Sequence, residues 1–254
     1  MTSRDLRFSL LGCVFEIRYA PAAVWRAIHD RLPRSEIADP STPPLRRYSV
    51  VADGDRFIVA RARRHPAPAH SAGSAAELVV DDLEVALSRA IDGRILVHAG
   101  AVGWRGRAIL VPGRSGSGKS ELVAALVRAG ADYLSDEFAV LDREGKVHPY
   151  RRPLALRRPS GTSRVAVDSD ASVAGSVRVG RIAFLRYRPE AGWQPRPISS
   201  GAALLGLLEN TLSCRFRLDD ARPILRRVVA SAPAIAGDRP EADEVARLLL
   251  GKTS

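Results

Sequence analysis

The sequence predicts an α/β protein with a small α+β unit ahead of its main domain. Three observations predict it. An apolar strand, a glycine-rich loop and an amphipathic helix follow one another between Ala108 and Gly130. Downstream, apolar strand patterns and helical patterns share the chain, as they do where helices cover a sheet. Upstream of residue 75, several short strands surround one helix, ending in the Pro- and Gly-rich "RRHPAPAHSAGS". That stretch reads as a linker and divides the chain into residues 1–74 and 75–254.

Taken in order, "LRFSLLGCVFEIRY" is one or two strands, and "PAAVWRAIHDRLP" is a helix with Pro21 at its start. "RRYSVVAD" and "RFIVARAR" flank an Asp-Gly step, a strong hairpin signal. In "AAELVVDDLEVALSRAID" the second half is helical, with Leu83, Leu87 and Ile91 four apart. "RILVHAGAVGW" and "RAILVPG" are strands around a turn, and "SELVAALVRAG" is a helix stopped by Gly130. "DYLSDEFAVLD" is strand, acid pair, strand. "RRPLALRRPSGTS" reads as irregular, "VGRIAFLRYRP" as a strand, and "SGAALLGLLENTL", "ARPILRRVVASA" and "PEADEVARLLLG" as helices.

The balance of 39 basic to 28 acidic residues, +11 overall, favours acidic partners such as nucleotides. The basic residues are scattered in short clusters, without zinc-finger spacing or an aromatic RNA-binding signature, so a solvated basic surface is favoured over nucleic-acid binding. Cys13 and Cys214 have neither metal nor disulfide spacing. No apolar run reaches the ~18 residues of a membrane span, and Glu16 and Arg18 interrupt the apolar N-terminal stretch. The expectation is a cytoplasmic protein with no membrane partner.

"GRSGSGKS", Gly113 to Ser120, satisfies G-x-x-x-x-G-K-[ST] in full. Gly113, Gly116 and Gly118 let the backbone turn its N–H groups inward around phosphate oxygens, and Arg114, Ser115 and Ser117 complete the loop. The helix after it points its positive end at the same anion. Lys119 supplies a point charge, and the Ser120 hydroxyl is a ligand suited to Mg²⁺. ATP with Mg²⁺ is the expected pair.

Here the sequence resembles the catalytic domain of HPr kinase/phosphorylase, a bacterial serine kinase related in fold to phosphoenolpyruvate carboxykinase. The resemblance rests on His98 ahead of the loop, on "GRSGSGKSE" through Glu121, and on Asp136 and Glu137 beyond it, and it covers His98 to Leu141. It looks closest to smaller HPr-kinase-related proteins, some of which tailor ribosomally made peptides such as lasso peptides. It implies a P-loop-containing HPr kinase/phosphoenolpyruvate carboxykinase-like core. It further implies that Lys119 binds the transferred phosphate, that Ser120 and Asp136 hold the metal, and that His98 sits beside the phosphates. The acid pair would hold the acceptor hydroxyl, with the second acid as proton acceptor. That second acid is Glu137 here rather than Asp, which leaves the base open between Asp136 and Glu137.

The family's E-I-R-G-x-G stretch has no counterpart; the region reads "PLALRRPSGTSR", without an acid. The arginines in and just before this stretch, with Arg151, Arg152, Arg157 and Arg158 foremost, are candidate phosphate cations. Without the resemblance, His98 equally reads as a core histidine and the acids as a solvated turn. The expected activity is transfer of a γ-phosphate to a hydroxyl, either of a serine in a peptide or protein or of a small-molecule alcohol. A nucleotide-driven switch is the competing class. The HPr enzymes being hexamers, a homo-oligomer stays open.

Overall fold

The computed structural model describes residues 3–61, 64–158, 161–165, 167 and 175–251. It resolves into two compact units, Met1–Asp92 and Gly93–Ser254.

In the first unit the order is β1 (Ser3–Leu10), β2 (Cys13–Pro21), α1 (Ala22–His29), β3 (Glu36–Ile37), β4 (Arg46–Asp53), β5 (Arg56–Arg61), β6 (Arg64–Ala69) and α2 (Ala72–Ala90). The strands form one sheet in the order β3-β1-β2-β4-β5-β6. Leu11 and Gly12, both at positive φ, make the tight β1–β2 turn, so the first apolar stretch is a hairpin. The Asp-Gly step joins β4 to β5 as expected.

The expected linker is instead structure. Arg64–Ala69 pairs antiparallel with β5 at the edge of the sheet, where Pro66 and Pro68 need not donate to a further strand. Ser71 then begins α2 with a reciprocal capping box: its hydroxyl accepts from Ser74 N–H, and the Ser74 hydroxyl accepts from Ser71 N–H. The whole of Ala72–Ala90 is helical, burying Val79, Val80, Leu83 and Leu87, and it packs on α1 and the sheet of its own unit. A boundary at residue 74 would fall inside this helix; the compact units divide at Asp92–Gly93.

The second unit runs β7 (Arg94–Trp104), β8 (Arg107–Pro112), α3 (Lys119–Arg128), β9 (Asp132–Ser135), β10 (Phe138–Asp142), β11 (Lys146–His148), β12 (Leu154–Arg158), β13 (Gly161–Val165), β14 (Val177–Tyr187), β15 (Arg196–Ile198), α4 (Ser200–Glu209), α5 (Leu218–Ser231), β16 (Ala234–Arg239) and α6 (Ala242–Leu249). The sheet is mixed. β8, β14 and β16 are parallel neighbours, while β7 runs antiparallel to β8. β7 is buried along nearly its whole length, as a central strand must be. Along its other edge it pairs first with β10 and then with β9.

Each face of this sheet has its own core. Val102, Ile109 and Val111 pack with Leu122 and Leu126 of α3 and Val245 and Leu249 of α6. On the opposite side Ile95, Val97, Leu110 and Ile182 pack with Leu207 of α4 and Leu225 and Val228 of α5. The stretch read as irregular, "RRPLALRRPSGTS", contributes β12 and β13, an antiparallel pair whose Leu154 is buried in the α3 core. Apolar anchors at Leu154 and Leu156 outweigh the arginines and prolines around them. Cys13 and Cys214 are free thiols, and no described helix is long and apolar enough to cross a membrane.

Candidate functional site

The three parallel strands end together. β8 ends at Pro112 and feeds the glycine-rich loop, β14 ends at Tyr187, and β16 ends at Arg239. Crevices beyond the carboxyl ends of parallel strands are where α/β sheets bind ligands. A cavity of about 470 Å³ lies there, lined by Gly116, Gly118, Lys119 and Ser120 of the loop and helix, by Glu137, and by Tyr187, Arg239 and Glu241.

Gly116 and Gly118 sit at φ +85° and +82°, a region that L side chains avoid. Gly113 is needed for space: a Cβ there would lie 2.8 Å from Ser117 Oγ. Gly118 is the N-cap of α3, whose first turn holds Lys119, Ser120 and Glu121. Arg114, Ser115 and Gly116 are exposed on the loop, whereas Lys119 is buried. The Lys119 ammonium donates to the Arg114 carbonyl at 3.3 Å, folding the side chain back over the loop.

His98 lies in β7, and both its backbone groups tie the site together. Its N–H donates to Asn210 O at 2.7 Å, and its carbonyl accepts from Gly113 N–H at 3.4 Å. Its Nε2 sits 3.0 Å from Glu137 Oε1 and 3.3 Å from Lys119 Nζ. With a proton on Nε2 the ring donates to Glu137; without one it accepts from Lys119. Phe138, directly opposite His98 across the β7–β10 pairing, holds the ring with a centroid separation of 5.8 Å.

The acids occupy a bend between β9 and β10, pinned by the buried Ser135 hydroxyl donating to Phe138 O at 2.6 Å. Adjacent strand residues point to opposite faces, but here the strand has ended and both carboxylates reach the site. Asp136 is 4% exposed. Burial foremost pushes its carboxyl up to about 6; the Glu137 charge adds to this, while the Ser120 hydroxyl, the Lys119 charge and Ala155 N–H oppose it. Its Oδ1 is buried without a partner among the described residues. Glu137 differs. Burial raises its carboxyl too, but the His98 hydrogen bond and the charges of His98, Arg152 and Lys119 outweigh that and hold it below the usual range.

The structure thus brings together His98, Lys119, Ser120, Asp136 and Glu137 around one loop. Of the arginines expected to serve it, Arg152 places its charge near Glu137. Arg151 instead donates from Nε to Tyr133 O at 2.9 Å, bracing β9. The side chains of Arg157 and Arg158 lie outside the described residues. Among the described residues Arg239 is the most deeply buried cation, and sequence reading missed it together with Tyr187 and Glu241. Their only sequence signal was position: each ends, or closely follows, a short apolar run that turned out to be a strand parallel to β8.

Among the described residues no cluster of three or more His, Cys, Asp or Glu could hold a metal. A cation beside the loop would find Ser120 and Asp136 adjacent to one another. That suits Mg²⁺, which keeps several waters and takes one or two carboxylates besides substrate phosphates. The unpartnered Oδ1 of Asp136 is a free acceptor of the right kind.

Fold and site together define an α/β protein with its cavity at the carboxyl ends of parallel strands, floored by a glycine-rich loop and lined by Glu137, with Asp136 buried beside Ser120. No family model matches the chain. Curated proteins do: the HPr kinase/phosphorylases of Burkholderia lata, Burkholderia cenocepacia and Burkholderia vietnamiensis are each 28% identical to it over 171 residues, 63% of this chain and 53% of theirs. The chain is a distant relative of these HPr kinase/phosphorylases, and it spans about half the length of the curated relatives it matches.

Proposed function

We propose that the chain is an ATP-dependent phosphotransferase with an HPr-kinase-like P-loop core, acting on a hydroxyl, foremost that of a serine in a peptide or protein. The observation that carries this reading is Asp136, buried against Ser120 with one oxygen left without a partner. A carboxylate so placed, next to Lys119 and the N-terminus of α3, fits a magnesium–polyphosphate complex better than it fits a structural turn.

In this reading the inward N–H groups of the Gly113–Gly118 loop and the Lys119 ammonium bind the β- and γ-phosphates. Ser120 and Asp136 would hold Mg²⁺, which when bound neutralises phosphate charge. Asp136 is thereby the metal-side acid. Glu137 lines the cavity and is the proton acceptor, with His98 orienting its carboxylate. The acceptor oxygen forms its bond to the γ-phosphorus as the bond to the β–γ bridging oxygen breaks. The hydroxyl proton goes to Glu137, and ADP leaves. The region where the family's downstream acid is expected, "PLALRRPSGTSR", holds no acid, and within it Ala155 N–H donates to Asp136, which argues for an acceptor other than HPr.

Purified protein incubated with γ-labelled ATP and Mg²⁺, with and without Ser-containing peptides and small alcohols, tests this beside Lys119→Ala and Asp136→Asn. Label should appear on an acceptor and fall at least a hundredfold in both variants. Rapid release of free phosphate with no labelled acceptor would instead make the protein a nucleotide-driven switch.

A further inference from the structure

The loop presents N–H groups inward only if its carbonyls are turned outward and kept there. Two consecutive carbonyls, those of Ser117 and Gly118, are the critical ones, because they precede the first residues of α3. Each is held by the end of a different strand. The Tyr187 N–H, at the end of β14, donates to Ser117 O at 3.1 Å. The Gly118 carbonyl, which accepts from Leu122 N–H at 3.2 Å in the first turn of α3, takes a second and shorter bond of 2.6 Å from Nη2 of the Arg239 guanidinium at the end of β16.

Arg239 is itself tightly held. It is 2% exposed, its Nη1 donates to Pro240 O at 2.9 Å, and its guanidinium lies over the Tyr187 ring at 5.1 Å. The Tyr187 hydroxyl in turn donates to Glu241 at 2.7 Å. Among the described residues, protein acceptors engage Nη1 and Nη2 once each, although a guanidinium has five N–H donors. Arg239 nevertheless lines the cavity. Burying a guanidinium at such a place is costly for packing alone, since an apolar side chain would fill the volume without desolvating a charge.

Arginine and glycine also require one another here. A Cβ on residue 118 would lie 2.4 Å from Arg239 Nη2 and 3.0 Å from Tyr187 Cβ. The glycine thus serves both its positive φ and the close approach of the guanidinium.

We propose that Tyr187 and Arg239 form a carbonyl clamp that sets the glycine-rich loop for a polyphosphate, with Arg239 as a positioning residue acting through Gly118. The clamp rests on the phosphate-loop reading above and names the part of that site the loop motif does not contain. It fixes the loop before any ligand arrives, so its loss is felt by phosphate groups and not by a nucleoside. Arg239 also adds a fixed positive charge to the cavity wall.

The test compares full-length wild type with Arg239→Gln and the milder Arg239→Lys in two measurements. Hydrogen exchange on the unliganded protein should be at least tenfold faster at the backbone amides of 114–122 in Arg239→Gln, with those of 97–102 unchanged. Binding of ATP and of inorganic tripolyphosphate should weaken roughly ten- to a hundredfold while adenosine binding stays constant, the range expected for a lost charged hydrogen bond. Arg239→Lys, keeping the charge but not the guanidinium fork, should fall between. Loop amides exchanging at the wild-type rate in both variants would overturn the clamp, as would adenosine affinity falling in step with ATP. If wild type binds neither ATP nor tripolyphosphate, the phosphotransferase reading fails, and the exchange measurement alone decides the clamp.

Discussion

The protonation of Asp136 affects the stability of the ligand-free protein. Its folded pKa of about 6 lies above the ordinary 3.8, so the folded state holds a proton that the unfolded state releases between those values. The stability this contributes is complete below about pH 4 and is lost as pH rises through about 6, an order of 2–3 kcal/mol. Asp136→Asn should therefore flatten urea-derived stability between pH 4 and 6. At pH 7.5 without metal it should be more stable than wild type by a similar amount. An unchanged pH slope would remove Asp136 as the cause. Mg²⁺ with ATP should reverse the order, stabilising wild type more than the variant. Glu137 has the opposite sign: held below 4.5, it contributes stability that is lost only as pH falls through its lowered pKa.

Among the elements, the close seating of α3 on β7 makes a sharp prediction. A Cβ on Gly100 would lie 2.4 Å from Val123 Cγ2, so Gly100→Ala should destabilise by about 1–3 kcal/mol through overpacking. Adding Val123→Ala should recover part of that loss, read as a coupling in a double-mutant cycle. In the first unit Ser71→Ala should cost about 1 kcal/mol by removing the half of the capping box in which its hydroxyl accepts from Ser74 N–H.

Such local features were legible in the sequence. The strand–loop–helix around Gly113–Ser120, the Asp-Gly hairpin and the acid pair are each written within about thirty residues. What was not legible depends on partners far away. Pro66 and Pro68 mark a loop until β5 offers an edge. Leu154 sits among arginines and prolines until α3 covers it. β16 has Gly237 in its middle because the backbone of Pro195 comes within 3.3 Å of where its Cβ would stand, so no alternating pattern announces the strand. Arg239 went unnoticed for the same reason, since its role exists only through β14 and β8.

For the molecule as a whole, the division at Asp92–Gly93 and the composition of the two cores carry a prediction. Every residue in the cores on either face of the second sheet comes from Ile95 onward. A fragment of residues 93–254 should therefore fold cooperatively and bind ATP within about threefold of the full chain. Calorimetry and nucleotide titration of the fragment check this. A fragment without a cooperative transition would show that the first unit is needed for folding.

Gly118 and the arginine that fixes its carbonyl are 121 positions apart in the chain. During synthesis the signature Gly113–Ser120 leaves the ribosome complete and can form its strand and helix, yet under the proposed clamp it would stay slack until β16 emerges and docks. At roughly 5–20 residues per second, that interval is of the order of ten seconds. A nascent or C-terminally clipped chain thus carries the whole recognisable motif without a working cradle. On the phosphate-loop reading proposed above, competence for a polyphosphate would be postponed until β16 has been made and docked.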